Sequence, residues 1–427
     1  MAGCTFERHR DEVRALLAPV VARLSGEAED LDVSDPGLRD RAIARPHAAR
    51  TPIPAFDNSQ MDGYAVLAAD LAAATHERPV ALPLGRATAA GDAPQRHEPG
   101  TASPVMTGAA VPQGADAVVP IEEALPPEFP ALSRAGDPEP TGTVSFASAV
   151  PAGRFIRRRG EDVETGTPIA EPGTRITPRL IGALAAAGVA RVAVRPRPRV
   201  LLCSTGDELA ASGEGLRPGR IHDVNTPMLR AALEGLGAEV SVLRTGDTPA
   251  ELREALLHAP GAAGPPGSVD LVVTTGGISR GAFEVVRSAL EPLRIRFHSV
   301  AMQPGGPQGL GSLEHEGRAV PVLCFPGNPV SAALSCELFL APALRELAGL
   351  PAEREAVRLP LAHDVASPPA KHQIRRGAID ADGRVAVFAP GSHLVGELAA
   401  AELLVHLPVG VEHAPAGTLV ETWRFDD

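Results

Sequence analysis

The run of alternating strands and helices between residues 199 and 348 constrains the fold of this chain more than any other feature. Short apolar segments there predict strands at residues 200–203, 239–243, 269–274, 295–300 and 320–325. Helical spacing predicts the intervening helices at residues 227–236, 249–258, 283–290 and 329–348. Strands that alternate with helices of this length form a parallel sheet with both faces covered. We therefore expect a doubly wound, mostly parallel α/β domain.

The rest of the chain predicts smaller domains. Residues 5–25 have apolar side chains at helical spacing, whereas residues 51–150 and those beyond Pro351 form short apolar runs cut by Pro and Gly. A chain of 427 residues also exceeds what one hydrophobic core organises. We expect a multidomain α/β plus β protein, with an N-terminal helix and linker domain (1–50 and 151–195), a β-rich inserted domain (51–150), the central α/β domain (196–348) and a C-terminal β domain (349–427).

Charge and composition exclude several classes of function. A net charge of -12 argues against binding to nucleic acid or to a membrane surface. No apolar run is long enough to span a membrane, and the polar amino terminus lacks a signal-peptide core. These features predict a cytoplasmic protein. Lysine occurs only at Lys371, which we attribute to a genome bias toward Arg, Ala, Gly and Pro.

Cysteine and histidine spacing predicts no metal site of its own. The four cysteines form no CxxC pair, which suits a reducing compartment and argues against a zinc site of cysteine type. The thirteen histidines form no HxH or HExxH arrangement, so none is assigned a catalytic role.

Glycine-rich loops follow the predicted strands of the α/β domain. In an open α/β sheet, ligands bind at the carboxyl ends of the strands, and glycine lets backbone amides approach phosphate oxygens. Four such loops on one rim predict a phosphate-bearing ligand. They are residues 204–208, 274–279, 303–307 and 326–331.

Acidic residues share this rim and predict a cation. Carboxylates beside a phosphate need a cation between them, and oxygen ligands favour Mg²⁺. Asp247 has an alternative role as a helix N-cap, because Thr248-Pro249 follows it. The rim carboxylates are Asp207, Glu208, Asp223 and Asp247.

Two segments of the first half are rich in charge. Asp57 and Asp62 lie in a turn-forming segment, where they can face a ligand or simply form turns. The run 154–162 places several guanidinium groups beside two carboxylates; it can grip an oxyanion or be a solvated turn.

Seven motifs, in order, resemble those of the MoeA family, the molybdopterin molybdenumtransferases that include the gephyrin E domain. The resemblance covers nearly the whole chain. It implies an elongated, usually dimeric enzyme that takes adenylylated molybdopterin and molybdate, inserts the metal into the dithiolene and releases AMP with Mg²⁺. Partners implied are a second copy, the molybdopterin adenylyltransferase and molybdoenzymes. The motifs lie at residues 57–65, 106–109, 114–119, 158–162, 204–209, 275–279 and 326–331.

The resemblance also implies roles for individual residues. The catalytic set is Asp62, Thr107, Asp162, Glu208 and Asp247. The set for the pterin or phosphate loop and the molybdate region is Gly276, Gly277, Ser279, Ser331, Arg376 and Ser392. The set that would ligate Mg²⁺ is Asp62, Glu208, Asp247 and Glu284.

The chain departs from the family pattern at the predicted molybdate site. Gln303 and Gly306 stand where the family commonly has lysines, so binding of the molybdate dianion should weaken unless another cation, such as Arg280, replaces them. Glu284 stands where Asp is common. The departures keep two alternatives open. One is molybdopterin adenylylation, which the flanking β-rich material opposes. The other is a non-catalytic pterin-binding scaffold, which the retained carboxylates oppose.

Overall fold

The structure is a computed structural model that describes residues 4–258, 269–279, 281, 284–315 and 317–425. These residues form two compact units. The first contains residues 4–45 and 172–177 and the described residues from 193 onward; the second contains residues 46–171 and 178–192. Among the described helices, none combines the length and the apolar character that a membrane crossing requires.

The first unit is built on a six-stranded sheet in the order β2-β1-β3-β6-β5-β4. The strands are β1 (Arg199–Thr205), β2 (Glu239–Thr245), β3 (Leu271–Thr275), β4 (Arg296–Ser299), β5 (Pro307–His315) and β6 (Arg318–Phe325). Neighbours among β2, β1, β3 and β6 pair in parallel, whereas β5 runs antiparallel to both β6 and β4. The predicted mostly parallel α/β domain is therefore confirmed.

Helices cover both faces of this sheet. Side chains alternate along each strand, so each strand contributes to an apolar core on either face. Val200 and Leu202 of β1 point into one apolar core, and Leu201 and Cys203 point into the other. The predicted helix 329–348 is divided by a π-helical turn at Cys336–Leu340. The α-helices of this region are Asn225–Gly235, Pro249–His258, Val285–Leu290, Pro329–Ser335 and Ala341–Leu347.

Strand β5 was not predicted from the sequence. Its glycines mask the strand pattern, yet the packing requires them, because a Cβ at Gly309 would stand 2.6 Å from the ring of Phe297. The missing side chain leaves room for the ring of Phe297, which is the cross-strand partner of Gly309.

The amino-terminal helix Phe6–Gly26 confirms the helix predicted at residues 5–25. Thr5 caps it, since its Oγ1 accepts a hydrogen bond from the backbone N–H of Arg8 at 3.2 Å. Phe6, Val13 and Leu17 project from one face into the same core as Val200 and Leu202. The helix therefore packs on the α/β sheet rather than standing alone.

A second six-stranded sheet contains the carboxyl-terminal part of the chain. Its first strand, Met302–Gln303, pairs in parallel with His372–Ile379, so the loop that follows β4 is joined to this sheet. The remaining strands are Ala356–Pro360, Val385–Val387, Leu403–Leu407 and Leu419–Arg424, and a short helix lies at Val395–Ala399. Shorter strands of this unit are Glu29–Asp32, Leu209–Ala210, Ile221–His222, Val365–Ala366 and His413–Ala414.

The second unit is β-rich, as predicted for residues 51–150. One three-stranded sheet has the order Ser103–Val105, Gly63–Val66, Ala117–Pro120. Another has the order Val80–Pro83, Thr143–Phe146, Ala124–Leu125. Shorter elements are the strands His47–Ala48, Asn58–Ser59, Ile156–Arg157 and Pro168–Ala170 and the helix Pro178–Ala186; Arg191–Val194 continues from this unit into the first. The four-domain division stays a prediction.

Candidate functional site

The glycine-rich loops predicted from the sequence converge on one cleft of about 1020 Å³ in the first unit. Because β1, β3 and β6 are parallel, their carboxyl ends meet at one edge of the sheet. The N–H of Gly276 donates to the carbonyl of Phe325 at 3.1 Å, and a Cβ at Gly327 would stand 3.2 Å from the Cα of Gly276. The loops thus touch through their backbones, and only glycine permits that approach.

Asn225 ties two of these loops together, and the sequence analysis missed it. Its Nδ2 donates to Thr275 Oγ1 at 2.9 Å and to the carbonyl of Gly327 at 2.7 Å. The available signal was an amide at the start of a helix that follows a buried acidic cap. That cap is Asp223, whose Oδ1 accepts from the N–H of Thr226 at 3.0 Å. Asp223 is therefore used within the helix terminus and is not a cleft-lining carboxylate.

Three predicted carboxylates line the cleft, those of Glu208, Asp247 and Glu284. Glu284 accepts from the N–H groups of Ser279 at 2.7 Å and Gly281 at 3.0 Å and from Ser279 Oγ, so it holds the loop that carries Ser279. Asp247 Oδ2 accepts from the N–H of Asp207 at 3.1 Å, which joins the loops after β1 and β2. The backbone carbonyl of Glu208 accepts from the N–H of Ile221 at 2.9 Å, whereas its carboxylate has no hydrogen-bond partner among the described residues.

Glu208 and Asp247 offer the ligand type that Mg²⁺ prefers. Mg²⁺ usually binds one or two carboxylates together with substrate phosphates and water, rather than a cage of protein ligands. Within the described ranges, no three carboxylates of the cleft bring oxygens within 4.8 Å of one another. The cleft therefore suits an ion that is shared with a phosphate ligand.

Lys371 supplies positive charge in the cleft. The sequence analysis gave this residue no role, because it attributed the scarcity of lysine to genome composition. The only lysine of the chain is one of its lining residues, together with Gln303 and Gly306, and it is exposed. No carboxylate of the described residues forms an ion pair with it. Its place follows from the pairing of Met302–Gln303 with His372–Ile379. Arg280, the predicted substitute cation, lies outside the described residues.

Of the three residues predicted for the molybdate region, Ser331 and Ser392 are lining residues of the cleft and Arg376 is not. Ser331 and Ser392 line the cleft, and the carbonyl of Ser392 accepts from the N–H of Val330 at 3.1 Å. Arg376 is fully buried; its Nη2 donates to the carbonyl of Ala389 at 2.6 Å and pairs with Glu397 at 3.1 Å.

The guanidinium group of Arg376 has unused hydrogen-bonding capacity. The Nε and Nη1 atoms of Arg376 have no hydrogen-bond partner among the described residues. Burial, and next the charge of Arg376, lower the pKa of the neighbouring Arg375. The two guanidinium groups of the strand His372–Ile379 therefore repel one another in the protein interior.

The remaining predicted residues belong to the second unit. Asp62 Oδ1 accepts from the N–H of Thr107 at 2.6 Å and from its Oγ1 at 2.8 Å, so the structure brings these two together on an exposed surface. Asp162 is also exposed, and its N–H donates to the carbonyl of Ile53 at 3.0 Å.

Asp57, also in this unit, is engaged locally. Burial alone would raise its pKa, but hydrogen bonds from the N–H of Arg159 and the guanidinium of Arg158, both at 2.7 Å, outweigh burial and leave that pKa below its usual value. Arg154 likewise pairs with Glu123. Of the two interpretations of the charged run 154–162, the solvated turn therefore describes part of it.

Family models match three consecutive parts of the chain. Residues 4–188 match the MoeA N-terminal region (domain I and II), residues 202–346 match a probable molybdopterin binding domain, and residues 358–425 match the MoeA C-terminal region (domain IV).

Curated proteins and a solved structure are similar over most of the chain. Molybdopterin molybdenumtransferase 2 of Mycobacterium tuberculosis is 40% identical over 383 residues, which cover 87% of this chain and 89% of that protein. The molybdopterin molybdenumtransferase of Synechococcus elongatus is 36% identical, with 77% and 78% covered. The crystal structure of a MoeA protein from Pyrococcus horikoshii matches with a TM-score of 0.80 and 27% identity over 100% of both chains.

Proposed function

The chain belongs to the MoeA family, and from that premise we propose that its cleft inserts molybdenum into molybdopterin bound along the glycine-rich rim. Its activity is that of a molybdopterin molybdenumtransferase. The observation that carries the proposal is the meeting of four predicted loops in one cleft that also contains Ser331, Ser392 and the single lysine. No nucleic-acid or membrane partner is proposed.

The glycine rim is the proposed seat of the pterin and its phosphates. Gly276, Gly277 and Ser279 present backbone and hydroxyl groups there, and Glu284 orients Ser279. Gly277 has a φ of +59°, and a Cβ there would stand 2.9 Å from the N–H nitrogen of Val286. The turn therefore needs glycine, which supports a preorganised phosphate loop.

Glu208 and Asp247 are proposed to hold Mg²⁺ against the phosphates of adenylylated molybdopterin. Bound Mg²⁺ would neutralise the charge that develops as the phosphoanhydride bond breaks and AMP leaves. Asp247 is kept in place by the N–H of Asp207, whereas the Glu208 carboxylate is free to turn toward the ligand. The resemblance to the family also assigns Asp62, Thr107 and Asp162 to catalysis, and we keep that assignment as part of the proposal.

Molybdate is proposed to bind between the glycine-rich turn at residues 303–307 and Ser392. Lys371 faces the dianion in the place of the two absent lysines. Ser331 and Ser392 offer hydroxyl donors. Arg376, which the resemblance implies but which does not line the cleft, would add positive charge only from the protein interior. These groups would hold molybdate while the two dithiolene thiols form bonds to the metal and their protons leave with one molybdate oxygen as water, so positioning provides most of the acceleration.

The setting proposed for this enzyme follows the family. It acts as a homodimer in the cytoplasm, receives its substrate from a molybdopterin adenylyltransferase and delivers its product to molybdoenzymes. Size-exclusion chromatography with light scattering tests the dimer, and a pull-down with the purified adenylyltransferase tests the first partner.

The test of function is molybdenum insertion by the full chain. The purified protein is supplied with adenylylated molybdopterin, Mg²⁺ and molybdate, and both AMP release and activation of an apo molybdoenzyme are measured. We expect Glu208→Gln to suppress both signals, whereas the control Glu234→Gln, on the exposed surface of the helix Asn225–Gly235, retains them. Substrate binding without AMP release at any molybdate concentration would replace the proposal with the scaffold alternative. Formation of adenylylated molybdopterin from ATP would favour the adenylyltransferase alternative.

A further inference from the structure

Four side chains of the types that ligate metal ions meet in the first unit, and none of them lines the cleft. They are Cys4, His9, Glu12 and His298, and their donor atoms all lie within 4.8 Å of one another. The Nδ1 atom of His9 stands 3.1 Å from the Nε2 atom of His298. None of the four takes part in the proposed insertion reaction.

Backbone contacts hold this cluster together. His9 and Glu12 are three residues apart on the amino-terminal helix and so project from the same face. Cys4 precedes the helix, and its carbonyl accepts from the N–H of Ala301 at 2.8 Å. This contact places the start of the chain alongside the end of β4, which carries His298. The side chains are therefore brought together by the packing of the helix on the sheet.

The protonation states of the cluster suit metal binding. Burial, and next the nearby His298, lower the pKa of His9 to about 3. Burial also lowers the pKa of His298, so both imidazoles are neutral at neutral pH, as metal ligands must be. Burial raises the pKa of the Cys4 thiol, which keeps its proton unless a cation takes its place.

We propose that Cys4, His9, Glu12 and His298 form a zinc site that fastens the amino-terminal segment to β4. On binding, the hydrogen shared by His9 Nδ1 and His298 Nε2 moves to the other nitrogen of its own ring, so that both atoms can ligate the metal. The Cys4 thiol releases one proton, and the resulting thiolate and the Glu12 carboxylate balance the two charges of Zn²⁺. One sulfur, two imidazole nitrogens and one carboxylate oxygen make a four-coordinate set typical of zinc, whereas Mg²⁺ prefers oxygen ligands alone.

The spacing of the donors is close to that of a bound site. Zinc bonds of about 2.0 to 2.3 Å in a tetrahedron put the donor atoms about 3.3 to 3.8 Å apart. The two histidine nitrogens already stand near this separation. The other donor pairs must close by at most about 1.5 Å to reach the same geometry, which rotation of the half-buried Cys4 and Glu12 side chains can provide.

Two arginines compete for Glu12 without excluding a metal. Arg8 donates to Oε1 at 3.1 Å, and Arg296 pairs with Oε2 at 3.0 Å. Their side chains are 70% and 62% exposed, so either can move into solvent. Each carboxylate oxygen also keeps a second lone pair, which can accept a metal while one arginine stays in place.

The test begins with the metal content of the full chain, purified without chelator and measured by mass spectrometry. The metal is then removed with EDTA, and Co²⁺ alone is added as a spectroscopic probe. We expect one zinc per chain, intense visible bands of tetrahedral Co²⁺, and a near-ultraviolet band from a Co²⁺–thiolate bond. Zinc should also raise Tm by a few degrees, because it binds the folded state.

Variants assign the signals to the cluster. Cys4→Ser should abolish the thiolate band, and His298→Gln should weaken Co²⁺ binding by more than about tenfold. The exposed histidine variant His363→Gln is the matched control and should behave as the unmodified protein. Both test positions are half-buried, and circular dichroism checks that the variants fold. Only trace metal with no Co²⁺ bands in the unmodified protein, or bands unchanged in both variants, would overturn the proposal.

Discussion

Replacement of Lys371 tests the electrostatics of the cleft most directly. The cleft is lined by three carboxylates, and Lys371 is the one lysine or arginine among its described lining residues. A hydrogen bond to a charged group contributes about 1.5 to 3 kcal/mol, and solvent screening at this exposed side chain favours the low end. A loss of about 1.5 kcal/mol corresponds to a roughly tenfold weaker interaction. We therefore expect Lys371→Gln to raise KM for molybdate about tenfold, with a smaller effect on kcat.

The assay is AMP release as a function of molybdate concentration at saturating adenylylated molybdopterin. Lys371→Arg should keep KM within a fewfold, and Lys371→Glu should raise KM more than Lys371→Gln does. The matched control is Arg384→Gln, which removes a charge from an exposed position outside the lining of the cleft. The difference between the unmodified protein and Lys371→Gln should shrink as salt rises, because the Debye length falls from about 8 Å at 0.15 M to about 3 Å at 1 M. An unchanged KM in both Lys371→Gln and Lys371→Glu would refute this reasoning.

Four further predictions follow from the geometry. Gln303→Lys returns a positive charge to the cleft and should lower KM for molybdate in the same assay; a higher KM would contradict the proposed placement of the anion. Asn225→Ala removes two hydrogen bonds between loops and should lower the free energy of unfolding in urea by about 1 to 3 kcal/mol. It should also lower the affinity for the substrate, measured by calorimetry. Gly277→Ala places a Cβ on a left-handed backbone and against a neighbouring amide, so it should cost about 1 to 3 kcal/mol of unfolding free energy. The control Gly235→Ala has open space around the new Cβ and should cost less than Asn225→Ala or Gly277→Ala. Burial, and next the neighbouring His372, lower the pKa of His406 to about 3, so the unfolded state binds more protons between that value and its ordinary pKa near 6.5. Stability should therefore fall as pH drops from about 6.5 toward 3, and a His406→Gln variant that folds should lose less stability over that range.

The sequence predicted the α/β region well because its signals are local. The apolar run in β1 and the helix Pro249–His258 depend on residues within one element, so their patterns survive without knowledge of the rest of the chain. The same holds for the rim loops, since each glycine-rich turn directly follows its own strand. Strand β5 was missed because Gly309 is required by the ring of Phe297, a contact that its local pattern does not reveal.

The site was predictable only in part. Three predicted residues line the cleft because each comes shortly after a parallel strand, namely Glu208, Asp247 and Ser331. The carboxyl ends of parallel strands share one edge of the sheet, so this position could be predicted from the order of the strands. Lys371 gave no such signal. It reaches the cleft through the pairing of Met302–Gln303 with His372–Ile379, two segments from different predicted domains.

The sequence by itself determined the family, the alternating core and the acidic, glycine-rich rim, since these depend on motifs and periodicities within short stretches. Only the tertiary structure decided which charges face the ligand and that Cys4 and His9 meet His298. Sequence motifs for zinc sites contain pairs of ligands that are a few residues apart. No such motif connects a helix near residue 9 with a strand nearly three hundred residues later. Such a meeting depends on how the helix packs against the sheet, because the buried apolar face of Phe6–Gly26 sets which side chains it presents to β4.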